Sequence, residues 1–335
     1  MTHVLHVEYR GTLAPYDHDI RALADVGATL TVTRCADGDD LVRAAESADV
    51  VWLEWSPPMD RSVLERLPRT GLVMRWGVGY DQIDVAAASD LGIVVANAPR
   101  YCTDDVAEHT IALLLGMTRQ VVAGATELRA SGWASAGLRA QRLRGATVGV
   151  VGLGRIGRRV AALLQAFGAR VIGYDVAAVD VPGVEQVTLE RLWADSDIVC
   201  LHAPHTAETH HLVNADVLSR MKPGARLVNV SRGGLVDTDA LLAALAEGHL
   251  ASAALDVFET EPLPADHPLR AEPRVILTPH QGASSQHSIA DLRSEMCAAT
   301  VEWLTTGWTS AAVNPQIRGT HRREFLRNVK PLGGS

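Results

Sequence analysis

Arg232, Glu261 and His280 are three side chains whose types could together hold an acid and move a proton. Each follows a short apolar run that reads as a β-strand. Leu227–Val230 precedes Ser231-Arg232-Gly233-Gly234, Ala253–Val257 precedes Glu261-Pro262, and Val275–Thr278 precedes Pro279-His280. A guanidinium can grip a carboxylate through two parallel hydrogen bonds. An imidazole titrates in the range where it can give a proton to an oxygen that is gaining negative charge. A neighbouring carboxylate such as Glu261 would orient that ring and balance its charge. A lone histidine after a proline is by default a turn residue. The cation and the carboxylate at matching strand ends make His280 an acid/base instead. The set suits delivery of hydride to the carbonyl of a 2-oxo acid, with a cofactor as the hydride source.

A cofactor motif lies upstream. In VGVVGLGRIGRRVAALLQAFGARVIGYD, Gly152, Gly154 and Gly157 stand in GxGxxG spacing. The spacing alone is weak, but an apolar strand precedes it and an amphipathic helix follows, with Ile156, Val160, Leu163, Leu164 and Phe167 on one face. Gly152 would permit the tight turn, Gly154 the approach of a pyrophosphate, and Gly157 close packing of helix on sheet. The N–H groups around Arg155 and Ile156 would then face the phosphates. The next strand ends in Asp175, placed to accept from the adenosine ribose hydroxyls. Val176–Val179 offer no Arg or Lys for a 2′-phosphate, so the cofactor expected is NAD rather than NADP. Gly77-Val78-Gly79 also follows a strand, but Gln82 stands where the third glycine would be, so it is not a second dinucleotide motif.

These residues must be carried by alternating strands and helices, and the chain has that pattern throughout. Strands are expected at Val4–Val7, Leu30–Thr33, Val50–Leu53, Leu72–Arg75 and Ile93–Ala96. A second series follows at Thr147–Val151, Val171–Tyr174, Ile198–Leu201, Arg226–Val230, Ala253–Val257 and Val275–Thr278. Such alternation implies parallel sheets with crossover helices. One long, mostly apolar helix is expected at Asp104–Ala125 and a last one at Ser285–Thr305. With 335 residues, 47% of them hydrophobic and 21% charged, the chain can form two globular domains. A net charge of -8 argues against a broad nucleic-acid surface. The N-terminal MTHVLHVEYRG lacks the apolar stretch of a signal peptide, and no long apolar run marks a membrane span. Cys35, Cys102, Cys200 and Cys297 are scattered and read as reduced residues of a cytoplasmic protein.

The motifs GLGRIG, NVSRGGLVD, ALDVFETEP and TPHQGAS, taken in order, resemble those of the D-isomer-specific 2-hydroxyacid dehydrogenases, phosphoglycerate dehydrogenase-like, from about residue 50 to 315. The resemblance implies two doubly wound α/β domains, a Rossmann NAD domain inserted into a flavodoxin-like substrate domain. The expected division is 1–98 with 285–318 for substrate, 99–284 for NAD, and a basic tail at 319–335. It implies Arg232 as substrate-binding and Glu261 paired with His280 as the acid/base couple. Cofactor contacts map to Arg155, Ile156, Asp175, Val230, Ser231, Arg232, Asp256, His280 and Gly282, with His202-Ala203-Pro204 in a loop over the cofactor. RWGVGYDQID is similar to the loop whose N–H groups hold the substrate carboxylate, here at Val78 and Gly79, and Trp55 falls where the pocket takes a side chain. The resemblance also implies a homodimer built on the Asp104–Ala125 helix. Two other readings stay open: an NAD(H)-sensing scaffold of the C-terminal-binding corepressor type, or an enzyme for a phosphonate-bearing analogue, since Arg75 and Arg232 could both face anions.

Several features read as structural. His202, His205, His210 and His211 in HAPHTAETHH suggest a metal, but no carboxylate or cysteine set completes a site, so none is expected. No basic partner activates Cys102. Trp52 and Trp76 are core candidates, Glu108 and His109 on the long helix read as structural or close to the interface, and the tail after Pro315 reads as solvated or loosely docked.

Overall fold

Val50-Val51-Trp52-Leu53 and Leu72-Val73-Met74-Arg75 are buried at every position, so both faces of these strands must be covered. The computed structural model, which describes residues 2–9, 15–131, 133 and 140–322, satisfies this with layered parallel sheets. The chain divides into two compact units, Met1–Cys102 with Ser285–Ser335, and Thr103–Ser284.

In the first unit the strands are β1 (Thr2–Val7), β2 (Ala28–Thr33), β3 (Val50–Leu53), β4 (Leu72–Arg75) and β5 (Val94–Ala96). Their order is β2-β1-β3-β4-β5, all parallel, which is the flavodoxin-like arrangement. Alternate residues feed opposite cores, as period-2 geometry requires. Val4, Val50, Trp52, Leu72, Met74 and Val94 face one side, and Leu5, Val51, Leu53, Val73 and Val95 the other. The helix Ser288–Thr306 covers the first side with Leu292, Met296 and Trp303. Each of these side chains contributes roughly 1.5–3 kcal/mol by burial. Trp52 Nε1 donates to Thr300 Oγ1 on that helix at 2.9 Å.

The first described residues of the expected tail are docked. His321 is buried with its ring on Gly307 O at 2.6 Å, and Arg322 donates to Leu91 O (2.6 Å) and Leu67 O (2.7 Å). Gly307 and Leu91 are the C-caps of helices Ser288–Thr306 and Val85–Asp90, so two of these contacts satisfy carbonyls that a helix end leaves open. Residues 323–335 of the expected tail lie outside the described residues.

In the second unit the strands are β6 (Thr147–Val151), β7 (Arg170–Tyr174), β8 (Glu185–Gln186), β9 (Ile198–Leu201), β10 (Ala225–Asn229), β11 (Leu250–Leu255) and β12 (Val275–Leu277). The parallel sheet runs β12-β11-β10-β9-β6-β7-β8. Strand order reverses between β9 and β6, the switch point at whose carboxyl edge doubly wound sheets bind ligands. β8 was not foreseen, because two polar residues give no periodicity to read.

The expected single helix at Asp104–Ala125 is two helices, Thr103–Thr118 and Val121–Ser131, with a bend of 57° measured between Thr103–Thr118 and Val121–Ala130. Gln120 between them adopts φ 54°, a left-handed conformation that ends the first helix. The sequence has no Gly or Pro there to announce it. Among the described residues, no single helix is long and apolar enough to cross a membrane.

Candidate functional site

The turn after β6 is built for a close-approaching ligand. Gly152 has φ +92°, and a Cβ there would lie 2.7 Å from the His202 backbone. A Cβ on Gly157 would lie 1.9 Å from Gly152 O, so the helix presses directly on the strand end. At Gly154 a Cβ would meet nothing within 4 Å, which leaves the outer side of the turn open. The helix Arg155–Ala166 starts from Gly154 with no side-chain cap, whereas Asp60, Asp84, Asn214 and Asp237 each cap the helix that follows them. Its first N–H groups, including those of Arg155 and Ile156, are left for an anion, which fits a pyrophosphate.

Asp175 follows β7 and accepts from Leu153 N (2.8 Å) and Ala177 N (3.1 Å), locking the glycine turn to the neighbouring strand end. Gln186 braces the same loop, donating to Asp175 O (3.2 Å) and Ala177 O (2.8 Å). A depression of about 520 Å³ lined by Asp175, Gln186 and Thr188 lies on the β8 side of this carboxylate, away from the switch point. In doubly wound sheets ligands bind at the carboxyl edge of the switch point, which here lies on the other side, toward β9. There His202 N donates to Val151 O at 2.7 Å, followed by half-buried Ala203 and exposed Pro204. Burial pushes the His202 imidazole down to about 4, and its Nε2 is buried without a partner among the described residues.

Arg232, Glu261 and His280 follow β10, β11 and β12, three adjacent strands. Buried Asn229 shapes the first loop by donating to Arg232 O (2.9 Å) and accepting from Ser231 N (3.1 Å). Ser231 Oγ donates to Leu201 O at 2.7 Å, and half-buried Val230 packs on the core. Glu261 uses both oxygens. Oε1 accepts from Phe258 N at 2.9 Å, and Oε2 lies 2.6 Å from His280 Nδ1. An ionised carboxylate only accepts, so Nδ1 carries the proton of that bond and Nε2 is the nitrogen turned from Glu261.

His280 adopts φ 50°, an uncommon conformation for a residue with a side chain. Asp256, 1% exposed, holds it there. Its carbonyl accepts from His280 N at 2.8 Å, while its carboxylate accepts from Gln281 N (3.0 Å), Gly282 N (2.8 Å) and Thr278 Oγ1 (2.5 Å). Burial alone would raise the Asp256 carboxyl, but the bonds from His109, Thr278, Gln281 and Gly282 outweigh it and hold the group below the usual range. His109 reaches Asp256 Oδ1 at 3.3 Å and Thr278 Oγ1 at 3.2 Å. Nothing local in the sequence links His109 to Asp256.

In the first unit, Val78 and Gly79 follow β4. The carbonyls of Gly77 and Val78 turn inward, accepting from Ala98 N (3.1 Å) and Asn97 Nδ2 (2.6 Å). The N–H groups of Val78 and Gly79 make no hydrogen bond among the described residues. Consecutive outward N–H groups form a nest for an anion. Half-buried Trp55 has its ring 5.7 Å from the Arg75 guanidinium carbon.

The histidine loop has a partner that the local sequence did not disclose. His205 Nε2 and His210 Nδ1 are 3.1 Å apart, and His211 Nε2 lies 2.5 Å from Glu259 Oε1. Glu259 sits two residues before Glu261 on its loop, so the carboxylate that meets His211 comes from a distant segment. Among the described residues, the group of three that could share an ion is His18, Asp19 and Cys297, but Arg293 NH1 already stands 3.7 Å from Asp19. The four cysteines are unbridged, and burial raises Cys200 to about 12 and Cys35 to about 11, so neither is a thiolate near neutrality.

Fold and motif together define a dinucleotide-binding α/β protein whose sheet edge carries an arginine and a histidine–carboxylate pair. Residues 111–282 match the NAD-binding domain of the D-isomer specific 2-hydroxyacid dehydrogenases, and the chain belongs to that family, with NAD as its cofactor. It is 42% identical over 259 residues to a D-3-phosphoglycerate dehydrogenase of Mycobacterium leprae, covering 75% of this chain and 49% of that protein. The chain thus spans about half the length of the phosphoglycerate dehydrogenases of mycobacteria that it matches. A glyoxylate reductase of Thermofilum pendens is 37% identical over 284 residues, 78% of this chain and 84% of that one. The crystal structure of a D-lactate dehydrogenase from Aquifex aeolicus, complexed with NAD and lactic acid, superimposes with a TM-score of 0.80 at 30% identity, covering 90% of this chain and 95% of that one.

Proposed function

We propose that this chain interconverts a D-2-hydroxy acid and its 2-oxo acid. The observation that carries the reading is the 2.6 Å pair of His280 Nδ1 and Glu261 Oε2, beside the strand that carries Arg232. When bound, the nicotinamide supplies or accepts the hydride. His280 gives a proton from Nε2 to the carbonyl oxygen as charge builds there, and takes it back in the oxidative direction. Glu261 keeps the ring in the tautomer with Nδ1–H and stabilises it when both nitrogens are protonated. Arg232 is assigned to the substrate carboxylate; in the first unit, the nest of Val78 and Gly79 is assigned as anion donors and Trp55 as apolar surface for a substrate side chain. Cofactor binding is assigned to the unit holding Gly152, Gly154, Arg155, Ile156, Gly157 and Asp175, with His202-Ala203-Pro204, Val230-Ser231, Asp256 and Gly282 along the same carboxyl edge.

A dimer is part of the proposal. Val121, Val122 and Leu128 on the second of the paired helices are at least half exposed, and Trp133 is 92% exposed. An apolar group of this kind fits burial against a second copy. The unbridged cysteines support a cytoplasmic site of action.

The test is a panel of 2-oxo acids, glyoxylate and pyruvate included, with NADH and then NADPH. Consumption of NADH by at least one acid, lost in His280→Ala with the protein still folded and NADH-binding, is the expected outcome. No turnover across the panel, or full turnover in the alanine variant, would refute the assignment. Light scattering that reports a monomer would remove the dimer.

A further inference from the structure

The nest at Val78 and Gly79 has a cation packed into its frame. Arg75, the last residue of β4, is 6% exposed, and its guanidinium does not extend into solvent. NH1 donates to Trp76 O, and Nε reaches Gln82 Oε1 at 3.4 Å. A Cβ built on Gly77, which has φ +138°, would lie 2.5 Å from Arg75 NH1 and 3.3 Å from Cζ. The guanidinium therefore occupies the flank where a side chain at 77 would go, and the ring of Trp55 lies 5.7 Å from its carbon. The carbonyls of Gly77 and Val78 accept from Ala98 N and Asn97 Nδ2. Each shares a peptide plane with the next N–H, so those of Val78 and Gly79 point the other way, whereas the Gly77 N–H, which follows the Trp76 carbonyl, donates to Arg75 O at 2.9 Å.

We propose that Arg75 strengthens anion binding at this loop. Its buried guanidinium sets a fixed positive charge beside Gly77, next to the Val78 and Gly79 N–H groups. This rests on the reading of that loop as the seat of the substrate carboxylate, and goes beyond it by assigning part of the affinity to a side chain that need not touch the substrate. The anion expected at this loop is a carboxylate. A charge beside a nest acts on ground state and transition state alike, because the carboxylate keeps its charge throughout the reaction; its removal should appear in KM and leave kcat.

The experiment compares wild type with Arg75→Met, which removes the charge, and Arg75→Lys, which keeps charge without the planar fork. Glyoxylate is the substrate probe, and oxamate is a non-reducible probe titrated into the enzyme–NADH complex. Arg75→Met should raise KM for glyoxylate and weaken oxamate by about tenfold. Its kcat should stay within about threefold and NADH affinity should be unchanged, and Arg75→Lys should recover part of the loss. Should methionine at 75 fail to fold, Arg75→Gln retains a donor for the Trp76 carbonyl without the charge and carries the same expectation. Unchanged KM and oxamate affinity in the neutral variant overturns the role, as does an equal fall of kcat and KM effects with lowered Tm. Equal losses in the lysine and neutral variants overturn the part assigned to charge. If wild type neither reduces glyoxylate nor binds oxamate, the carboxylate reading of the loop fails and the role of Arg75 falls with it; normal wild-type behaviour with an indifferent variant fails Arg75 alone.

Discussion

Glu261→Gln gives the sharpest test of the proposed chemistry, because it changes one atom of a carboxylate with two identified partners. Glutamine can still accept one bond, but its NH2 must then face either Phe258 N–H or His280 Nδ1, both of which the carboxylate accepts from now. If the amide oxygen turns to His280, a donor opposes the Phe258 N–H and the loop is disturbed. If it turns to Phe258, the imidazole loses its anchor. In either case the negative charge beside the ring is gone. Two unit charges about 4 Å apart interact by about 4 kcal/mol at an effective dielectric of 20. The His280 side chain is 33% exposed and that of Glu261 19%, so solvent screens part of this, and roughly 2 kcal/mol is the working figure. Applied to a transition state in which His280 carries the proton in transit, that is about a 30-fold loss of kcat. Steady-state NADH oxidation with saturating 2-oxo acid measures it, and NADH fluorescence checks that cofactor affinity is kept. A folded, NADH-binding Glu261→Gln enzyme with wild-type kcat would mean that the pair does not handle the proton, and the mechanism would have to be abandoned.

Three other outcomes follow from the same geometry. Gly152→Ala forces a Cβ to within 2.7 Å of the His202 backbone at φ +92°, so NADH binding should fall by at least tenfold and stability by about 2 kcal/mol or more; calorimetry and a melt decide it. Asp256→Asn keeps the size but sets an NH2 against a ring of donors, and should cost about 2–4 kcal/mol together with most of kcat, whereas a melt equal to wild type would show that the clamp is not needed. His202 is held down at about 4 against an ordinary value near 6.5, so the unfolded chain binds the extra proton between those values and stability falls as pH drops through that window. The loss from pH 7.5 to pH 5 should be about 2 kcal/mol and should be smaller in His202→Leu, as pH-dependent denaturant melts can show.

Local patterns carried most of the strand reading. Runs such as Ile198–Leu201 are buried on both faces and look it, and the glycine turn announces itself because Gly152 and Gly157 have no room for a Cβ. What stayed hidden depends on segments far apart in the chain. His211 meets Glu259, His109 meets Asp256, and Arg322 meets Leu67 and Leu91, each through a pairing that no periodicity encodes. The break at Gln120 was hidden for another reason. A left-handed residue is cheapest as glycine, and when tertiary packing imposes it on glutamine the sequence keeps its helical pattern across the bend.

The same distinction explains why His280 could be singled out while its support could not. A residue with φ 50° stores strain of order 1 kcal/mol, which persists only where surrounding groups over-determine the turn. Asp256 does this from β11's end through its backbone carbonyl on His280 N and its carboxylate on the next two N–H groups. Its own ionisation is in turn secured by His109 from the helix Thr103–Thr118 and by Thr278 just after β12. The imidazole is thereby aimed by a buried charge that itself faces no solvent. Relaxing that charge would let the turn revert to an ordinary conformation and swing the ring off Glu261. The burial of Asp256 therefore follows from the conformation it enforces: an exposed carboxylate, screened and mobile, would not hold its four donors tightly enough to keep a histidine in that region.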